Sequence, residues 1–415
     1  MYPLSNPVRD YAWGSRRRLA EFLGREPTGG PEAELWIGAH QGDPSLLPDG
    51  RGLDRGIAED PLGMLGEQVH HDHGARLPFL MKVLAVGEPL SLQVHPDSER
   101  ARIGFGRENQ AGVALDAPER SYKDAWHKPE LIYALSRFEG MAGFRDVRRT
   151  CAILAMLRRP WSEDVCARLG SGHPQQALRA VVGELLAMEP DDVRTLLADL
   201  VDAVRAAAAE GHRQERVSTA RRSRALDEEA LVRREAVRVF DQFPTLVEHY
   251  PADPGVLVTL LLNHVVLAPG EAMFVGAGVI HAYVSGFGVE IMAASDNVLR
   301  AGLTPKHRNV PELMAVTDFT PIPAPRWDPV RADGSVARFE PPVPDFDLTV
   351  GCAAEIRLPP TGPAIVLALG DGCTATSGAD VVAVARGTTL FVPDPAVVRT
   401  TLAGPGQVAV GSVTA

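Results

Sequence analysis

Lysine is close to absent from this 415-residue chain. It stands only at Lys82, Lys123, Lys128 and Lys306, while lysine and arginine together number 42. Arginine is therefore the ordinary surface cation. A genome that favours arginine codons explains the scarcity but not the places. All four lysines sit beside PFLMKVL, SYKDAWHKPE or AGLTPKH, segments rich in metal-ligand and acid–base residues. Lysine is a compact charge with a movable pKa, whereas arginine is a planar fork that stays protonated. Clustered titratable groups mark sites, so these segments come first. Cysteine is scarce too. Cys151, Cys166, Cys352 and Cys373 show no CxxC spacing, which argues against a disulfide framework or a cysteine-rich zinc module. They are expected to be small buried hydrophobes in a reducing compartment. No apolar run reaches the roughly 20 residues of a membrane helix, and MYPLSNPVRDYAWG lacks the apolar stretch of a secretion signal. A cytoplasmic location is expected, with no membrane partner. A net charge of −11 excludes a general nucleic-acid binder, while leaving room for a small basic pocket.

What is present reads as a globular chain, 45% hydrophobic and 23% charged, long enough for two or three domains. Apolar runs at 80–86, 90–94 and 131–135 predict strands. From about 146 to 243 the composition turns to Ala, Leu, Arg and Glu. Leu178, Val181, Val182, Leu185 and Leu186 follow helical spacing. So do Val193, Leu196, Leu197, Leu200, Val201 and Val204, in a helix opened by Pro190 and closed by Gly211. Asp227 is expected to cap a third helix that ends before Pro244. Strand character returns in VLVTLLLNHVVL at 256–267, then MFV and the turn Gly276-Ala-Gly278. The economical reading is a mainly β protein with an α insertion, a single β unit interrupted by helices at 146–249. A last stretch, 319–415, has short strands and neither lysine nor histidine, so it is expected to support rather than react.

Three segments carry the candidate chemistry. In SLQVHPD, alternation along a strand puts Gln93 and His95 on one face. HKPE places Glu130 at the start of a strand. GAGVIHAY places His281 at the start of another, after a glycine turn. Each alone reads as structural. Together, two imidazoles, a carboxylate and an amide oxygen would make a mixed N/O site, suited first to zinc. Spacing does not pair residues across so long an insert.

QVHPD, YKDAWHKPE, GVIHAYVSG and MAASDNVLRAGLTPKH resemble the signature segments of type I phosphomannose isomerases, a zinc-dependent family. YAWG, ELWIGAH and FEGMAGFR are similar as well. The resemblance runs to about Val310 and implies a fold: a cupin-type β-barrel catalytic domain (1–145 with 250–318), a helical insertion (146–249) and a C-terminal cupin-like β domain (319–415). It places one zinc ion on Gln93, His95, Glu130 and His281, a catalytic arginine at Arg300 and an acidic residue at Glu290. It matches Lys128 and His40 to the lysine of HKPE and the last residue of the ELW motif. Three positions depart from the family pattern: Trp126, Ser98 and Gly278.

The implied activity is the interconversion of mannose 6-phosphate and fructose 6-phosphate by proton transfer between C2 and C1. Glu290 is the first candidate for the base and Lys128 the second. Arg300 suits stabilisation of an enediolate-like transition state, and His40 suits assistance to ring opening. Ser91, Lys82, Arg300 and Lys306 are candidates for holding the phosphate. The alternatives are a metal-dependent cupin acting on another sugar phosphate, or a non-catalytic sugar-binding double cupin. A monomer or weak homo-oligomer is expected.

Overall fold

The computed structural model describes residues 1–220, 228–333, 336–394 and 400–413. Two large sheets share one apolar layer, and a block of helices packs on the far side of the first. The first sheet is organised around the long strand His281–Ala293. Its second half runs antiparallel between Phe79–Val86 and Glu130–Ala134. Its first half pairs with Phe138–Phe144 and touches Leu92–Val94 through the pair His281↔Gln93. Glu34–Gly38 extends the sheet on the outer side of Phe79–Val86. Leu299–Gly302 closes on Leu92–Val94.

The long strand serves both halves because it bends. Gly286 sits at φ 140°, a conformation that L side chains rarely adopt. A Cβ there would lie 2.8 Å from the Cα of Phe138. Only a glycine lets the strand turn and Phe138 pack so close.

The second sheet contains Asp347–Cys352, Ala364–Ala368, Thr389–Val392 and Gln407–Ser412. Phe339, Phe346, Leu348, Val350, Ile365, Leu367 and Phe391 meet Leu35, Ile37, Phe79, Met81, Val83 and Ile291 of the first sheet in one core. The edge of this second sheet is the strand Tyr2–Leu4, in register with Thr389–Val392. The first residues of the chain thus belong with the last in space, which their sequence position did not suggest.

The helices run from Val147 to His249, with a further short one at Gly255–Thr259. Leu178, Val181, Val182, Leu185, Val193, Leu197, Leu200 and Val204 all enter one core, as their spacing predicted. Three boundaries differ. The helix Pro190–Ala220 runs through Gly211, so His212 is helical rather than in a loop. The Cβ of any residue at 211 would come 2.4 Å from Val237 Cγ2. The glycine thus serves the close approach of two long helices, which outweighs its propensity cost of about 1 kcal/mol. The helix Glu228–His249 contains Pro244, held in place by buried Phe240, Phe243 and Leu246. The stretch 256–267 is not one strand: Gly255–Thr259 is helical and only Leu262–Leu267 is extended. Val256, Leu257 and Val258 are fully buried, so packing overrides their β preference. Asp227 lies outside the described residues. The four cysteines are free, with only Cys373 fully buried.

Candidate metal centre

Alternation assembles the site. Phe79, Met81, Val83 and Ala85 enter the core between the sheets, so Lys82 points the other way. Leu35 and Ile37 do the same and leave Glu34 and Trp36. Leu131 and Tyr133 leave Glu130, and Val289 and Ile291 leave Glu290. Register then sets Trp36 opposite Lys82 and Lys82 opposite Glu290. In Leu92–Val94 both leucine and valine pack toward the helices, so Gln93 and the following His95 share the opposite face. Gln93 stands between His281 on one side and Arg300 on the other.

His95, Glu130 and His281 meet in the interior, with one ligand atom from each within 4.8 Å of the others. His95 Nε2 is 3.3 Å from Glu130 Oε1, and His281 Nε2 is 3.3 Å from Glu130 Oε2. All three residues are almost wholly buried. Each imidazole donates its Nδ1–H to a backbone carbonyl: His95 to Asn297 at 2.7 Å and His281 to Val279 at 3.0 Å. That fixes the tautomer and leaves both Nε2 lone pairs turned inward, the orientation metal-binding histidines take. His95 Nε2 and Glu130 Oε2 are buried without a hydrogen-bond partner. Unpartnered buried polar atoms are expensive, and a cation between them would remove the cost. The Gln93 amide nitrogen lies 3.3 Å from His281 Nε2. A half-turn of the amide puts its oxygen there, so Gln93 is placed to add a fourth ligand.

The charges agree with a metal. Burial, and then Lys128, pull His95 down to about 4, which keeps it neutral and free to ligate. Burial alone would raise Glu130, but Lys128 and His95 hold it well below the usual carboxylate range. Lys128 Nζ grips Glu130 Oε1 at 2.8 Å, leaving Oε2 for the cluster.

Beside the cluster lies a buried relay of charge. Lys82 Nζ is 3.4 Å from Glu290 Oε2 and 3.7 Å from Glu34 Oε2. Burial works against the Lys82 charge, but Glu34, Glu290 and Glu130 outweigh it and raise its pKa. Burial and the nearby Glu130 push Glu290 up to about 7, against the pull of Lys82 and Lys128. Glu34 was not singled out from the sequence. Its signal was its place two residues before Trp36, on the same face of a strand, where the indole N–H donates to it.

The remaining sequence candidates fall around this centre. Arg300 has no hydrogen-bond or ion-pair partner among the described residues, and burial lowers its pKa. Lys306 is exposed; burial and then Arg300 lower its pKa, so the two cations are neighbours. Ser91 is half-buried, two residues before Gln93. His40 packs edge-on to Trp36, and its Nε2 meets Asp296 Oδ2 at 3.1 Å. Asp296 faces His40, which holds its carboxyl down against burial. Asp97 caps a helix, accepting from Arg100 N. Lys123 is spent on the carbonyls of Leu115 and Ala117. Trp126 is exposed, with the Arg76 guanidinium 3.9 Å over its ring.

Known proteins are similar to this chain. Residues 1–147 match the family model of the phosphomannose isomerase type I catalytic domain. The mannose-6-phosphate isomerase of Escherichia coli strain K12 is 39% identical over 353 residues, covering 83% of this chain and 82% of its own length. That of Rattus norvegicus is 36% identical over 374 residues, covering 83% and 80%. A crystal structure of mannose 6-phosphate isomerase from Salmonella typhimurium, bound to substrate (fructose 6-phosphate) and zinc, superposes with a TM-score of 0.84. It is 33% identical, over the whole of both chains.

Proposed function

The chain belongs to the type I phosphomannose isomerase family, and from that premise we propose that it interconverts D-mannose 6-phosphate and D-fructose 6-phosphate. The observation that carries the reading is the enclosed His95–Glu130–His281 cluster, with inward lone pairs and two unpartnered ligand atoms. One zinc ion per chain fits it, held by these three residues and Gln93. When bound, zinc supplies a fixed double positive charge that polarises sugar oxygens and holds the substrate in register.

The chain's own residues do the rest. Glu290 takes the proton from one of the two adjacent carbons and returns it to the other. A base needs a pKa near the working pH, and burial has moved Glu290 there. Lys128, the other candidate, is committed to Glu130 at 2.8 Å, so it orients a ligand carboxylate. Lys82 balances Glu290 and Glu34 rather than holding phosphate. Arg300, whose guanidinium has no other partner among the described residues, stabilises the enediolate charge. With Lys306 and Ser91 it also forms the cationic end that receives the phosphate. His40, aligned by Asp296, serves proton exchange at the ring oxygen during opening.

The first sheet is read as the cupin-type catalytic barrel (1–145 with 250–318), the helical block as an insertion (146–249) and the second sheet as a cupin-like supporting domain (319–415). One amendment follows from pairing: Tyr2–Leu4 sits in the second sheet. Among the described residues no helix is long and apolar enough to cross a membrane. With four free cysteines, a cytoplasmic monomer or weak homo-oligomer, with no nucleic-acid partner, completes the reading. The test is a coupled assay with mannose 6-phosphate. Chelation should abolish turnover and added zinc should restore it; full turnover in rigorously metal-free protein refutes the reading.

A further inference from the structure

His264 stands in the strand Leu262–Leu267, whose other residues apart from Asn263 are apolar. It is 5% exposed, and neither ring nitrogen makes a well-formed hydrogen bond among the described residues, although the Thr259 backbone favours the protonated ring. Leaving such a group dry and unpaired is costly. It lines a cavity of about 500 Å³ between the helical block and the first sheet, together with Arg145, Arg149, Arg238, Arg326 and Glu235. None of the residues of the metal centre lines this space.

The charges of the lining do not close. Glu235 accepts from Arg145 at 2.7 Å through one oxygen and meets Arg149 at 3.0 Å through the other. Arg145 spends its remaining nitrogens on the carbonyls of Leu260 and Leu262. Asp146 caps the backbone at Arg149, and Arg326 pairs with Glu271 at 2.7 Å. Arg238 is left over. It has no hydrogen-bond or ion-pair partner among the described residues, and its Nε is enclosed. Burial disfavours its charge most; Glu235 favours it, and Arg137, Arg149 and Arg326 oppose it. Arginines outnumber the carboxylates of the lining, and a guanidinium in no direct ion pair beside an imidazole in no well-formed hydrogen bond leaves room for a further anion.

We propose that this cavity is a second anion site, binding the phosphate group of a small metabolite through Arg238 and His264. The site rests on its own lining and holds whether or not the isomerase reading does. Burial, then Arg145 and Arg238, hold His264 at about 3 against the Thr259 backbone, which favours the protonated ring. The imidazole therefore enters as a neutral donor, adding a hydrogen bond without adding charge. A guanidinium presents a fork to a tetrahedral oxyanion, and the imidazole offers a third donor. A metal cation is excluded by the surplus of arginine.

The test follows the His264 ring signal in zinc-loaded protein carrying ¹³C-labelled histidine, assigned with His264→Gln. Inorganic phosphate is titrated at constant ionic strength. A saturable shift is expected, weakened about tenfold or more in Arg238→Gln, the loss of one charge-assisted hydrogen bond. Arg238→Gln should keep its isomerase turnover, because Arg238 is no part of the metal centre. Should that variant fail to fold, Arg238→Lys keeps the charge without the fork, and binding should be saturable but weaker. Displacement of phosphate from the His264 signal by fructose 6-phosphate identifies a sugar phosphate as the ligand; no displacement identifies free phosphate. A ring signal that phosphate does not move, or moves equally in Arg238→Gln, overturns the site.

Discussion

Replacing Lys82 by methionine should move the acid limb of the kcat/KM profile to higher pH. The ammonium lies 3.4 Å from Glu290. At an effective dielectric of about 20, Coulomb's law gives roughly 5 kcal/mol for such a pair. Part of that is offset by desolvation and by Glu34, which competes at 3.7 Å for the same charge. A net loss of about 3 kcal/mol corresponds to roughly 2 pH units. The sign is fixed: removing a cation disfavours the carboxylate, so a pKa already at about 7 rises further. The base is then ionised only at higher pH, and the limb follows. Stability should move with it. Glu290 has a folded pKa above its unfolded one, so the folded state binds more protons in the window between them. Stability therefore falls as pH rises from about 4.5 through the folded pKa. Without Lys82 that window widens, and the variant should lose more at pH 8 than at pH 6 in urea titrations of the metal-free protein. Lys82→Arg, which keeps the charge, should restore the limb. An acid limb unmoved in Lys82→Met would refute Glu290 as the base.

His281→Ala should lose zinc as well as activity; unchanged metal stoichiometry by elemental analysis would reject the ligand assignment. Arg300→Ala should keep its zinc while kcat falls by about 10² or more, the usual effect of removing one well-aimed donor; near-normal turnover would remove Arg300 from the reaction. Gly286→Ala should destabilise the protein by about 2–4 kcal/mol in denaturant unfolding, because strain at positive φ adds to a clash with backbone. A loss below about 1 kcal/mol would mean that the bend in His281–Ala293 is not what holds the two halves in register.

The parts legible in the sequence were those with a short period. Alternation placed Gln93 beside His95, and it placed Glu130 and His281 at strand starts. Helical spacing found the buried face of 178–204. What stayed hidden depended on residues distant in the chain. Gly211 looks like a helix end until Val237 is seen packed against it, and 256–258 reads as strand until its burial is known. Asp296 meets His40 in space, a pairing across more than 250 residues that no local spacing shows. Tyr2–Leu4 could not be assigned to the second sheet, because a three-residue strand carries no pattern that names its partner.

The buried charges form a sequence of alternating sign from Glu34 through Lys82 to Glu290 on one side, and from Lys128 to Glu130 on the other. With Glu290 ionised, three carboxylates face two ammonium groups, so this buried cluster by itself carries one net negative charge. Burial, and then the nearby Glu130, make protonating Glu290 the cheapest way to cancel it, and its pKa is pushed up to about 7. A divalent ion at Glu130 does the same by another route, and the two routes exclude each other. Binding the ion favours ionised Glu290, and ionised Glu290 favours the ion, by the same free energy. Glu290 is therefore more fully ionised with a divalent ion at Glu130 than without one. The scarcity of lysine fits this economy: Lys82 and Lys128, each with a carboxylate on it, set the charge to which Glu290 responds.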